Sequence, residues 1–179
     1  MTRIFRTLAT MMVLGILPFA APLAAEMGHT HAAMGASALD PLKKLAGEWT
    51  GKAGPSGGQT MDATVTYRVT ASGSTVMETL FPGDPHEMVT MYTVDKGGLV
   101  LTHYCAAGNQ PHMSARKGSA ANELVFDFAG GANINPAKDQ FMHNARLVFV
   151  DDDHLRSEWT DWKDGKKMQT MVFELERKK

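Results

Sequence analysis

From Glu48 to its C-terminus the chain is written in period two. Met61, Ala63, Val65, Tyr67 and Val69 alternate with Asp62, Thr64, Thr66 and Arg68. In an extended backbone such alternation puts the apolar set on one face and the polar set on the other. Turn-forming residues cut the pattern at short intervals. Ala71-Ser72-Gly73 leads into an apolar run at 76–81, which Pro82-Gly83-Asp84-Pro85 ends. Asp95-Lys96-Gly97-Gly98 joins 88–94 to 99–105 as a hairpin, and Asp164-Gly165 does the same for 155–162 and 168–175. Further strands are expected at 113–117, 124–128 and 141–150. No segment with 3.6-residue periodicity is long enough for a crossover helix. Short strands joined by tight turns make an antiparallel meander, whose two unpaired edges must close or stack. The expected fold is therefore all-β: a single antiparallel up-and-down β-barrel of about 8–10 strands, with a sandwich as the second arrangement.

The N-terminus reads differently. Arg3 and Arg6 precede an apolar stretch at 8–19, Pro22 breaks it, and Leu23-Ala24-Ala25 offers a small-residue cleavage site before Glu26. Residues 1–25 are expected to be a secretory signal, cut after Ala25, which places the mature chain in the periplasm or outside the cell. The apolar stretch is short for a bilayer span, and no cysteine follows it to carry a lipid, so no transmembrane segment is expected after cleavage. Residues 26–38 are small, polar and aperiodic, and are expected to form a flexible leader. Its His29 and His31, flanked by Met27 and Met34, suit a soft or borderline metal, but nothing in the leader pre-organises them. The barrel is expected over 39–179. It opens with a helical turn that Asp40 caps, Pro41 enters and Gly47 stops.

Charge and motifs exclude more than they assign. With 18 Lys and Arg against 19 Asp and Glu in 179 residues, the chain has no basic excess to bind nucleic acid or an anionic membrane surface. One cysteine, Cys105, rules out an internal disulfide framework and a multi-cysteine zinc site. There is no dinucleotide-binding or Walker glycine loop. His86-Glu87 begins a zinc-protease motif that Thr90 breaks. Gly54-Pro55-Ser56-Gly57-Gly58 matches a nucleophile elbow, but it sits between two strands rather than before a helix. No catalytic residue is assigned, and the chain reads as a binder more than an enzyme.

Two segments resemble a known group. Leu45-Ala46-Gly47-Glu48-Trp49-Thr50-Gly51, a short helix running into G-x-W at the first strand, looks like the opening of lipocalins and fatty-acid-binding proteins. Thr102-His103-Tyr104-Cys105-Ala106-Ala107-Gly108-Asn109-Gln110-Pro111 resembles a stretch of secreted bacterial lipocalin-like proteins of unknown function. The resemblance implies a calycin-type barrel over residues 40–179, with Trp49 closing one end. The later TDY-type motif and the C-terminal arginine of the lipocalin pattern are not clearly met, so it implies the broad barrel class alone.

Chemistry-bearing residues form two sets. His103 and Cys105 share a strand face with Leu99 and Leu101, and His112 opens the next strand. A thiolate with two imidazoles suits zinc or copper; the alternative is a buried cysteine beside a hydrogen-bonded histidine, with Asn109 and Gln110 holding the loop. No other cofactor is expected. The second set is polar or aromatic residues on faces that line a barrel interior: Arg68, Glu78, Arg116, Asp127, His143, Arg146, Glu158 and Trp159. A slip of one residue in strand phase reverses each assignment. A buried arginine among them would hold a carboxylate-bearing ligand. Eight methionines fall in or at the start of strands, as core filler or as adaptable ligand contacts.

Three functions follow as expectations. The first is a secreted or periplasmic barrel binding a small, largely apolar or amphipathic molecule, with Tyr67, Glu78, His103, Cys105, Asn109, Gln110, Arg116 and Trp159 as its contacts. The second is a metal-binding or enzymatic barrel using His103, Cys105 and His112. The third is a structural envelope protein with a filled core. Oligomeric state is not legible in the sequence.

Overall fold

The alternation at 61–69 becomes a strand in which Ala63, Val65 and Tyr67 are buried, while Met61 and Val69, at its two ends, are exposed. The computed structural model describes residues 38–179; the signal at 1–25 and the His29 and His31 leader lie outside the described residues. Ten strands follow in chain order: β1 (Gly47–Pro55), β2 (Met61–Thr70), β3 (Thr75–Leu80), β4 (Met88–Asp95) and β5 (Gly98–Tyr104), then β6 (Gln110–Ala115), β7 (Glu123–Ala132), β8 (Phe141–Phe149), β9 (His154–Lys163) and β10 (Lys166–Arg177). Each pairs antiparallel with its sequence neighbours, and β1 also pairs with β10, so the sheet closes into an up-and-down barrel. Closure leaves no sheet edge to protect.

The tight turns follow from local backbone chemistry. Lys96 and Gly97 (φ 48° and 82°) and Asp164 and Gly165 (φ 51° and 69°) both place two consecutive residues in the left-handed region. That is the two-residue turn whose twist matches paired strands.

One end of the barrel is sealed. Residues 38–43 form a helical turn that inserts Leu39 and Leu42, followed by Leu45, into the main core with Trp49, Leu147, Leu155 and Leu175. The described helical residues run from Ala38, so Asp40, expected as the cap, lies within the helix. Trp49 is fully buried, and its indole N–H donates to the Leu45 carbonyl at 2.8 Å. The Arg177 guanidinium lies 4.3 Å from the Trp49 ring centre and donates to the carbonyls of Lys44, Ala46 and Asp152. Arg177 lies two residues past the expected end of the last strand.

The seam between β1 and β10 needs close approach. A Cβ on Gly51 would lie 1.9 Å from the Glu174 carbonyl oxygen, a distance no side chain tolerates. Gly51→Ala is expected to force the two strands apart and lower stability by about 2–3 kcal/mol, as core overpacking does. Arg177→Met, which keeps much of the length but removes the cation and its donors, is expected to cost about 2 kcal/mol. Urea unfolding followed by tryptophan fluorescence checks both. An unchanged midpoint for either variant would remove that residue from the closure.

Candidate functional site

Alternation fixes what points inward. On β3 it is Val76, Glu78 and Leu80; on β4, Thr90 and Tyr92; on β5, Leu99, Leu101 and His103; on β9, Leu155, Ser157, Trp159 and Asp161. A polar cluster therefore sits inside an otherwise apolar barrel. The Glu78 carboxyl accepts from the Tyr67 hydroxyl at 2.6 Å and the Tyr92 hydroxyl at 2.9 Å. Thr90 is the direct cross-strand partner of Glu78. On its other side the Thr90 hydroxyl lies 2.9 Å from His103 Nδ1. The imidazole packs against the Trp159 ring with centres 4.7 Å apart, and the Trp159 N–H donates to the Ser157 hydroxyl at 3.0 Å. His103 Nε2 has no hydrogen-bond partner in the protein, although it is buried.

Burial sets the protonation of these groups. It pushes the Glu78 carboxyl up from its ordinary value, against the downward pull of the three hydroxyls. Both tyrosines are pushed well up, first by burial and then by the carboxyl they face. Burial pulls the His103 imidazole down from 6.5 to about 4, so the ring is neutral at neutral pH.

Of the residues expected to contact a ligand, the structure brings Tyr67, Glu78, His103 and Trp159 into this cluster. Asn109 is buried at the far rim, where its Nδ2 donates to the Gln140 carbonyl. Gln140 in turn donates to the buried Asp161 carboxylate, so the 133–140 loop is tied across that rim. The other three are elsewhere. Gln110 faces away from the barrel interior and donates to the Gly108 carbonyl. Arg116 is exposed beyond β6 and makes a two-pronged ion pair with Asp127 on the outer wall. Cys105 lies past the end of β5 in a turn closed by its N–H to the Asn109 carbonyl, off the face shared by Leu99, Leu101 and His103.

The expected metal triad is not assembled. β6 begins at Gln110, three residues earlier than expected, and pairs His112 with Thr102. That register turns His112 outward and exposed, on the opposite face from His103. Four more of the expected interior residues also face out. Arg68 is exposed beside Met77, and Arg146 bridges Glu123 and Glu158 across β7, β8 and β9, with Asp127 on the same wall. His143 sits at a β8 irregularity, stacked 4.0 Å from Trp162. Among the strand methionines only Met113 is fully buried; Met61 and Met168 are exposed, and Met88, Met142 and Met171 are half-buried against the core. Thr90, Tyr92, Ser157 and Arg177 were missed. The first two were within reach, since Met88, Thr90, Tyr92 and Val94 share one face of a recognised strand.

A surface groove of about 730 Å³ lies at the helix-sealed end, lined by Pro41, Lys44, Phe149, Asp152 and Arg177 among others. It shares no residue with the polar cluster. Among the described residues no helix is long and apolar enough to cross a membrane.

The closed ten-stranded antiparallel barrel is consistent with a calycin-like fold. No protein-family model and no curated protein matches this chain. Among solved structures it is similar to Rv2717c from M. tuberculosis, with 17% identity, a TM-score of 0.56, and coverage of 79% of this chain and 98% of that one. A protein with unknown function from the DUF3598 family of Nostoc punctiforme matches at 11% identity and a TM-score of 0.49. The match covers 75% of this chain and about half, 48%, of that one. At such identities the likeness is one of fold.

The His103 shift has a consequence for stability. Its folded pKa lies below its unfolded one, so its contribution is present above pH 6.5 and is lost as pH falls through about 4. The loss amounts to about 3 kcal/mol. Glu78, shifted up, works the other way: its contribution is full below 4.5 and is lost as pH rises through its raised folded value. In His103→Phe, urea unfolding between pH 6.5 and 4 is expected to lack the part of the wild-type decline that belongs to His103. Equal slopes for the two proteins would contradict a neutral, buried His103.

Proposed function

We propose that this chain is an exported lipocalin-like barrel that binds a small, largely apolar molecule in its interior, against His103, Trp159 and the Glu78 cluster. The observation that carries this reading is His103 Nε2, a buried polar atom with no partner, set among aromatic rings in an apolar lumen. Leaving such an atom unpaired costs about 1–3 kcal/mol, which a leucine at the same position would avoid. Groups kept at that expense, with shifted protonation, mark sites of function more often than devices of stability.

Side chains close over the cluster in this structure: Glu78, Thr90 and Tyr92 are all inaccessible to water. Admission of a ligand therefore requires movement, and the end away from the helix is built for it. Met88, Met142 and Met171 line that half of the barrel on three different strands, each half-buried. Thioether side chains have three soft torsions and repack at little cost. Export rests on the signal read at 1–25, and the lipocalin-like kinship on the motifs around Trp49 and Cys105.

N-phenyl-1-naphthylamine, an uncharged apolar probe with one N–H, tests the reading. Its emission is expected to rise saturably on titration with the protein, while tryptophan fluorescence is quenched. His103→Phe, which keeps an aromatic ring against Trp159, is expected to weaken binding about tenfold. Absence of saturable binding, or binding indifferent to His103→Phe, would leave the barrel with a filled structural core instead.

A further inference from the structure

The interior cluster has an asymmetry between donors and acceptors. Its donors are spent within it: both tyrosine hydroxyls on Glu78, and the Trp159 N–H on Ser157. The Thr90 hydroxyl lies 2.9 Å from His103 Nδ1, the one polar contact of that ring within the protein. A neutral imidazole carries a proton on one nitrogen and a lone pair on the other, and Nε2 is the nitrogen left without a partner. Of the other two buried polar atoms without a partner, Asn109 Oδ1 at the far rim is an acceptor, and Trp162 Nε1, a donor, belongs to the outward-facing side of β9.

Charge points the same way. The buried ionisable carboxyl groups are Glu78 and Asp161, and among the described residues no lysine or arginine is buried. Arg68, Arg116 and Arg146, any of which would have suited a carboxylate ligand from inside, are on the outer wall. An anion in this lumen would meet two carboxyl groups and lone pairs with no cation to balance it, at a desolvation cost that nothing repays.

We propose that His103 carries its proton on Nδ1, towards Thr90, and that the ligand of the interior site, granted that the site binds at all, is an apolar body bearing a hydrogen-bond donor, uncharged or cationic (an alcohol or an amine), with carboxylates excluded. The donor meets His103 Nε2. The rejection of anions comes from the carboxyl-lined, cation-free interior.

Competition against bound N-phenyl-1-naphthylamine tests this with four probes that share one ring system: 2-naphthylmethanol, 2-naphthylmethylamine, 2-methylnaphthalene and 2-naphthoate. The alcohol and the amine are expected to compete at least about tenfold better than 2-naphthoate, and the alcohol better than 2-methylnaphthalene. In His103→Phe the advantage of the alcohol over 2-methylnaphthalene should vanish. In Glu78→Gln the gap between amine and carboxylate should narrow; where that variant does not fold, the His103→Phe comparison carries the test. A carboxylate that competes as well as the alcohol, or no competition by any of the four, overturns the donor assignment while interior binding of the first probe stands. Failure of the first probe to bind removes the site itself.

Discussion

Everything in this molecule depends on the seam between β1 and β10. A ten-strand meander is an open sheet until its first and last strands meet, and an open sheet has neither an inside nor protected edges. Gly51 lets the two backbones approach, because any Cβ there would strike the Glu174 carbonyl. Beside it, Trp49 fills the end of the lumen and Arg177 covers it, tied by hydrogen bonds to carbonyls on both sides of the seam. The guanidinium satisfies carbonyls of the helix-to-strand connection and lies over the indole face in the same arrangement, so packing and polar satisfaction reinforce each other. With that end sealed, a molecule reaching the interior must come from the other.

Strand positions and tight turns were legible because they rest on local rules. Lys96-Gly97 and Asp164-Gly165 announce left-handed backbone pairs whatever surrounds them, and alternation in β2, β4 and β5 identifies their inward faces. The phase of β7, β8 and β9 was harder. Asp127, Arg146 and Glu158 alternate with apolar residues as regularly as Glu78 does, and only the closed barrel shows that three face solvent and one does not. Register irregularities at His112/Met113 and Met142/Asn144 add local phase changes that no periodicity reveals.

The site was half legible for a related reason. Tyr67, Glu78, His103 and Trp159 were each nameable from face and residue type. Their convergence is a property of closure: Thr90 meets His103 through the β4–β5 ladder, while Trp159 meets it across the lumen from β9. The metal triad failed on one local detail. β5 ends at Tyr104 and β6 starts at Gln110, so Cys105 falls in a turn and His112 in mid-strand with its side chain outward. Two strand boundaries shifted by one and three residues were enough to disperse three ligands.

The two walls of the barrel use charge in opposite ways. Outside, carboxylates and guanidiniums alternate and neutralise one another, from Arg116 and Asp127 to Arg146 and Glu158. These exposed pairs sit in high dielectric and add little to stability. Inside, a carboxyl is held by two tyrosine hydroxyls, and no buried cation balances it. A salt bridge there would have been self-contained, with the charge cancelled and nothing left to offer. Hydroxyl donors hold the carboxyl without a balancing cation, and beside it Thr90 holds an imidazole whose Nε2 has no partner within the fold. A core built for stability alone has no reason to end its polar contacts on an unpaired buried atom. The proposed donor-bearing guest gives that atom a partner.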